Sequence, residues 1–107
     1  MTNTQNKITK ISFLLVEEFS MIAFASALEP LRTANRISKK KLFEWEFLSL
    51  NNQKVFCSNG ISIDTQDLNE EKLQTDILFV CGGINIKDKI NKHYLQLLEE
   101  LVEMELA

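Results

Sequence analysis

The sequence is 107 residues long, enough for one domain with a modest core, and its 45% hydrophobic and 25% charged residues, with three Gly and one Pro, describe a globular chain. Twelve basic against fifteen acidic side chains leave a net charge of −3, which gives no electrostatic ground for nucleic-acid binding by these residues. Cys57 and Cys81 lack the paired spacing of a metal site and suit a reducing compartment; the apolar runs fall short of the roughly 20 residues a membrane span needs, so the expectation is a soluble cytoplasmic protein without metal or cofactor.

Met1 to Lys7 is polar and reads as a disordered leader, with one domain following from residue 8 to 107. Lys10 to Val16 is nearly all apolar, the pattern of a strand covered on both faces in a parallel sheet. After an acidic turn at Glu17-Glu18, a helix is expected from an N-cap at Ser20 to about Arg36, without the Glu or Gln at position 23 that would complete a capping box. Phe24, Leu28 and Leu31 fall on one side of that helix, and Pro30 predicts a kink or an irregular turn within it. Ser38-Lys39-Lys40-Lys41 reads as a solvated basic loop.

Glu44 to Leu50 alternates, placing Trp45 and Phe47 on one face of a second strand and Leu48 and Leu50 on the other. Lys54 to Cys57 and Ile61 to Ile63 flank Ser58-Asn59-Gly60, whose Asn-Gly pair is a strong hairpin signal. Asp64 to Leu73 is polar, with room for one helical turn. Asp76 to Cys81 repeats the buried-strand pattern and ends in Gly82-Gly83. Lys87 to Leu106 places Ile90, Tyr94, Leu97, Leu98, Leu101 and Val102 on one stripe of an amphipathic helix with no terminating residue, so the chain reads as the first half of a doubly wound sheet. Its bare edge calls for further strands or a partner.

Few residues offer chemistry. Cys81 stands at the carboxyl end of a strand, where open α/β sheets place their sites, but a thiol nucleophile needs a base, and His93, the one histidine, lies in the amphipathic stretch. A packed structural thiol is the plainer reading of Cys81, and hairpin packing that of Cys57. Glu17 and Glu18 read as electrostatic partners of the helix N-terminus. Neither G-x-G-x-x-G nor a Walker pattern occurs, so Gly82-Gly83 is no nucleotide fingerprint.

Four blocks carry a resemblance: Phe19 to Arg36, Phe43 to Leu50, Cys57 to Gly60 and Ile77 to Gly83. In order and spacing they resemble the N-terminal domain of GlxA-type AraC-family transcriptional regulators. The resemblance implies an α/β, flavodoxin-like, class I glutamine amidotransferase-like (ThiJ/PfpI) three-layer sandwich, of which this chain would be a part. It further implies sensing of a small metabolite of the carnitine, betaine or amino-acid type, homodimerisation, and DNA binding through a C-terminal domain absent from this chain.

Enzymes of that fold carry an acidic residue early in the first helix, which by register falls near Ala23. Their cysteine elbow comes after the helix expected at Lys87 to Leu106. No catalytic residue is therefore carried over; a stand-alone enzyme using Cys81 is the alternative. What the resemblance transfers is half of a ligand pocket: Phe19, Ser20 and Met21 at the first turn, Ser58, Asn59 and Gly60 in the hairpin, and Cys81, Gly82 and Gly83 at the strand end. Phe19 and Trp45 are candidate aromatic faces for a quaternary ammonium group.

Overall fold

The computed structural model of the chain describes residues 7–50, 53–68, 73–83 and Gln96. A four-stranded parallel sheet is built around β1 (Thr9–Leu15), which has β2 (Phe43–Ser49) on one side and β6 (Ile77–Cys81) on the other. Its odd-numbered residues Ile11, Phe13 and Leu15 point to one core and Leu14 and the following Val16 to a second, all of them buried. Coverage of both faces is what the near-continuous apolar run requires.

The first core lies beneath helix α1 (Met21–Ser38), which presents Phe24, Leu28 and Leu31 to the sheet. Phe24 meets Phe13, Phe19 and Phe47 edge-on, with ring centroids 5.4 to 5.6 Å apart, a geometry that sets ring edges against negatively polarised faces. Ser20 caps the helix as expected, its hydroxyl accepting from the Ala23 amide at 3.2 Å. The helix runs two residues past Arg36 and ends at Lys39 in the left-handed conformation, φ 59°.

Pro30 lies inside the helix, so of the kink or irregular turn expected there the irregular turn does not form. Pro30 and Ser26, whose carbonyl loses its amide partner, are both exposed, so water can satisfy that carbonyl.

The alternation of β2 is as expected: Phe43, Trp45 and Phe47 join the first core, and Leu48 and Leu50 join the second. Glu46 accepts a 2.6 Å hydrogen bond from the buried Ser12 hydroxyl of β1. Among the described residues no buried side-chain nitrogen or oxygen lacks a partner.

The antiparallel hairpin β3 (Lys54–Phe56) and β4 (Ser62–Asp64) pairs Val55 with Ile63. Its connection is tightened by the Gly60 amide on the Cys57 carbonyl at 3.0 Å and the Cys57 amide on the Ile61 carbonyl at 2.8 Å, with Gly60 at φ 93°.

Two sequence expectations change. Gln66–Asp67, within the polar stretch Asp64 to Leu73 that has room for one helical turn, forms a short strand, β5, parallel to the end of β2, while residues 69–72 of that stretch lie outside the described residues. Its backbone is fixed by tertiary partners: the Thr65 hydroxyl meets that of Ser49 at 2.7 Å, and the Leu68 amide bonds the Ser49 carbonyl at 2.8 Å. Among the described residues β6 is an edge strand, not one covered on both faces: Ile77, Phe79 and Val80 are exposed and only Cys81 is buried. An apolar run reports what a strand can bury, whereas coverage depends on its neighbours.

The expected helix at Lys87 to Leu106 lies outside the described residues except for Gln96, which is helical and exposed. No helix among the described residues is long and apolar enough to cross a membrane.

Candidate functional site

Three chain segments converge at the carboxyl end of the sheet, the place where open parallel sheets put their ligands. The central one is Val16 to Ser20, which leaves β1 and enters α1. The Val16 amide donates to the Cys81 carbonyl at 3.0 Å and the Ser20 amide to the Gly82 carbonyl at 2.9 Å, fastening this crossing to the end of β6. On the opposite side Phe19 bridges Cys57 in parallel fashion, and its carbonyl accepts from the Ser58 amide at 2.9 Å. The Glu18 amide donates to the Phe56 carbonyl at 2.8 Å. Main-chain bonds therefore join the first turn, the hairpin and the strand end, with one side-chain contact, the Glu17 carboxylate on the Phe56 amide, added between turn and hairpin.

Glu18 adopts φ 68° to make this crossing, a conformation that costs an L-residue roughly 1–2 kcal/mol. Gly83 is required by the same crowding, since a Cβ there would lie 2.3 Å from the Glu18 carbonyl oxygen. The glycine thus serves close approach of the chain to itself.

Of the sequence-predicted site residues, Phe19, Ser20, Ser58, Cys81 and Gly82 meet at this junction directly, with Gly83 packed on Glu18 and Met21 beginning α1. Asn59 and Gly60 form the exposed hairpin tip. The Asn59 side-chain oxygen accepts from the Ile61 amide at 2.9 Å and contacts the Cys57 thiol, so it is committed to shaping the turn.

The aromatic expectations are corrected. The Phe19 ring is fully buried against Phe24, leaving only its main chain toward the junction. Trp45 pairs in register with Ile11, well down the strands from their carboxyl ends, and packs into the core beneath α1. Neither ring stands at the junction to face a cation.

The acidic turn also works differently from its sequence reading. No acidic residue occupies the first turn of α1, and the Glu17 carboxylate accepts from the Phe56 amide at 3.3 Å. The N-terminus of α1 is capped by Ser20, and the acidic residues precede it in the chain instead of entering its first turn.

Cys81 is buried, and burial pushes its thiol up to about 11 from an ordinary 9.0. Desolvation disfavours the thiolate, which is the nucleophilic form. Ala23, near which the resemblance places the early acid of enzymes of this fold, is the third residue of α1. Among the described residues no group of three or more His, Cys, Asp or Glu could hold a metal ion.

One further residue was not singled out from the sequence. Asn35 donates to the Phe43 carbonyl at 2.9 Å and accepts from the Leu42 and Phe43 amides at 2.8 and 3.0 Å, tying the end of α1 to the start of β2. An Asn late in an apolar helix is the only sequence signal for it.

No family model matches the chain. It is homologous to named transcriptional regulators: 36% identical over 89 residues to the HTH-type transcriptional regulator GbdR of Pseudomonas aeruginosa, 37% over 89 residues to the HTH-type regulator CdhR of the same species, and 34% over 82 residues to the HTH-type regulator GlxA of Rhizobium meliloti. These alignments cover 83%, 83% and 77% of this chain but only 24%, 26% and 25% of those proteins, so the chain spans about a quarter of their length. Among solved structures, an AraC family transcriptional regulator from Pseudomonas putida superposes with a TM-score of 0.67 at 34% identity, over 71% of this chain and 41% of that one. A transcriptional regulator protein from Vibrio parahaemolyticus, at 22% identity and TM-score 0.67, shares the fold over 92% of this chain and 53% of its own. The amidotransferase-like α/β fold is thus the one these regulators use.

Proposed function

We propose that this chain, a homologue of HTH-type regulators of the AraC family, is the metabolite-sensing and dimerising part of a cytoplasmic transcriptional regulator, with operator binding supplied by helix-turn-helix elements outside these 107 residues. The observation that carries this reading is the junction of Phe19–Ser20, Cys57–Ser58 and Cys81–Gly82 at the carboxyl end of the sheet. The relatives named in the comparisons are regulators and not enzymes, and the buried Cys81 thiol lacks the low pKa a nucleophile uses.

The charge arrangement favours a small zwitterion. The N-terminus of α1 attracts a carboxylate, while the Glu17 carboxylate, which accepts from the Phe56 amide, supplies negative charge for a cationic group. Carnitine, betaine and amino-acid effectors have this form. The pocket residues are Phe19, Ser20 and Met21 with Ser58, Asn59, Gly60, Cys81, Gly82 and Gly83, through main-chain groups at Phe19.

The test is thermal unfolding of the 107-residue chain with glycine betaine, carnitine and arginine added separately. A ligand at a hundred times its Kd adds about 2.7 kcal/mol of stability and raises the melting temperature by several degrees. No shift with any zwitterion, alongside a shift with a simple inorganic anion, would sink the zwitterion reading.

A further inference from the structure

The hairpin tip between β3 and β4 carries a chemistry that the junction does not use. Of the nine asparagines in the chain, Asn59 is the one followed by glycine. A side-chain amide can be attacked by the main-chain nitrogen of the next residue, and because the two groups are already held together the attack needs only their rotation into line. A side chain on that next residue would crowd the approach, and glycine has none. The surroundings of Gly60 are open as well, since a Cβ there would meet nothing within 4 Å. Ser58, Asn59, Gly60 and Ile61 are all exposed, so solvent base and water reach the tip.

The turn also prepares the electrophile. The Asn59 side-chain oxygen accepts from the Ile61 amide at 2.9 Å and from the Cys57 thiol. Both donors draw electron density from the side-chain carbon, and both face the oxygen that gains negative charge on attack. The nucleophile is more restrained: the Gly60 amide donates to the Cys57 carbonyl at 3.0 Å, and this bond must open before the nitrogen can lose its proton. Opening an exposed turn costs far less than unfolding the domain. Asn35 shows the opposite case, with its amide spent on three part-buried hydrogen bonds and Arg36 following it within α1.

We propose that Asn59 is a self-modification site that deamidates in the folded chain through a cyclic succinimide. Solvent hydroxide takes the Gly60 amide proton, and the nitrogen forms a bond to the Asn59 side-chain carbon. The bond from that carbon to the side-chain nitrogen breaks, and ammonia leaves with a proton from water. A second water opens the ring at either carbonyl, giving aspartate or isoaspartate at position 59. The hairpin thereby gains a negative charge next to Ser58, whose amide bonds the Phe19 carbonyl.

The test is incubation of the 107-residue chain at mildly alkaline pH, folded and in urea, followed by peptide mass mapping. In the folded chain the Asn59 amide should be lost over days while Asn35 stays intact, and fragmentation should find isoaspartate beside aspartate. Asn59→Gln, which would need a larger ring, should stay unmodified at that position with an unchanged circular dichroism spectrum. Aspartate without isoaspartate would signify direct hydrolysis of the side chain and overturn the ring mechanism. An Asn59 that stays intact in the folded chain overturns the site itself, and conversion confined to urea would identify the turn as a guard of the amide.

Discussion

The two ends of α1 are attached to the sheet by different means. At its start, Val16 to Ser20 is held mainly by amide-to-carbonyl bonds to β6 and the hairpin, with the Val16 and Phe19 side chains anchored in the two cores. At its end, one side chain makes the connection: Asn35 satisfies two amides and a carbonyl at the start of β2. The first attachment is spread over several main-chain bonds. The second is concentrated in one side-chain amide, with the Leu42 amide also donating to the Lys40 carbonyl at 3.1 Å.

Substitutions can break each attachment selectively. Gly83→Ala should be the most damaging, because its Cβ meets backbone instead of a movable side chain. A loss of about 3 kcal/mol in urea unfolding is expected, with the junction displaced. A variant as stable as wild type would mean that the crossing is looser than its hydrogen bonds imply. Asn35→Ala should follow at about 2 kcal/mol, since three part-buried hydrogen bonds lose their partner. Amide exchange should accelerate at Leu42 and Phe43 while Ser20 stays protected; equal acceleration at both ends would erase the distinction drawn here.

Smaller changes sharpen the contrast. Ser20→Ala removes the cap on the Ala23 amide and should cost about 1 kcal/mol while the Ser20 main-chain bond to Gly82 persists. Lys39→Gly relieves a left-handed residue at the other end and should raise stability by about 0.5 kcal/mol, visible as a higher denaturation midpoint.

The weakest effect at neutral pH is that of Cys81. Its folded-state pKa of about 11 lies above the ordinary 9.0, so its contribution to stability is fully present below pH 9 and is lost as the pH rises toward 11. Cys81→Ala should therefore flatten the fall in stability over that window. Alkylation of native Cys81 should also lag that of a free thiol at pH 8. Rapid native labelling would instead revive the nucleophile reading.

By itself the sequence determined the elements whose signals are local. The apolar run of β1, the alternation of β2, the Ser20 cap and the Asn-Gly turn each depend on a few neighbouring residues, and each stands where those residues place it. The resemblance across four blocks extended this to the fold and to the regulators that share it. Tertiary structure alone decided what depends on neighbours distant in sequence. Gln66 and Asp67 have no strand pattern of their own and become β5 because the end of β2 offers unpaired main chain. Ile77, Phe79 and Val80 look like buried-strand residues but, among the described residues, lie exposed at an edge, since strand order is a property of the assembled sheet. Phe19 looked like a ligand-facing ring, yet the core beneath α1 claims it, and only its backbone reaches the junction at the sheet end. Local patterns state which groups seek burial or hydrogen bonds; the folded chain decides which partners they find.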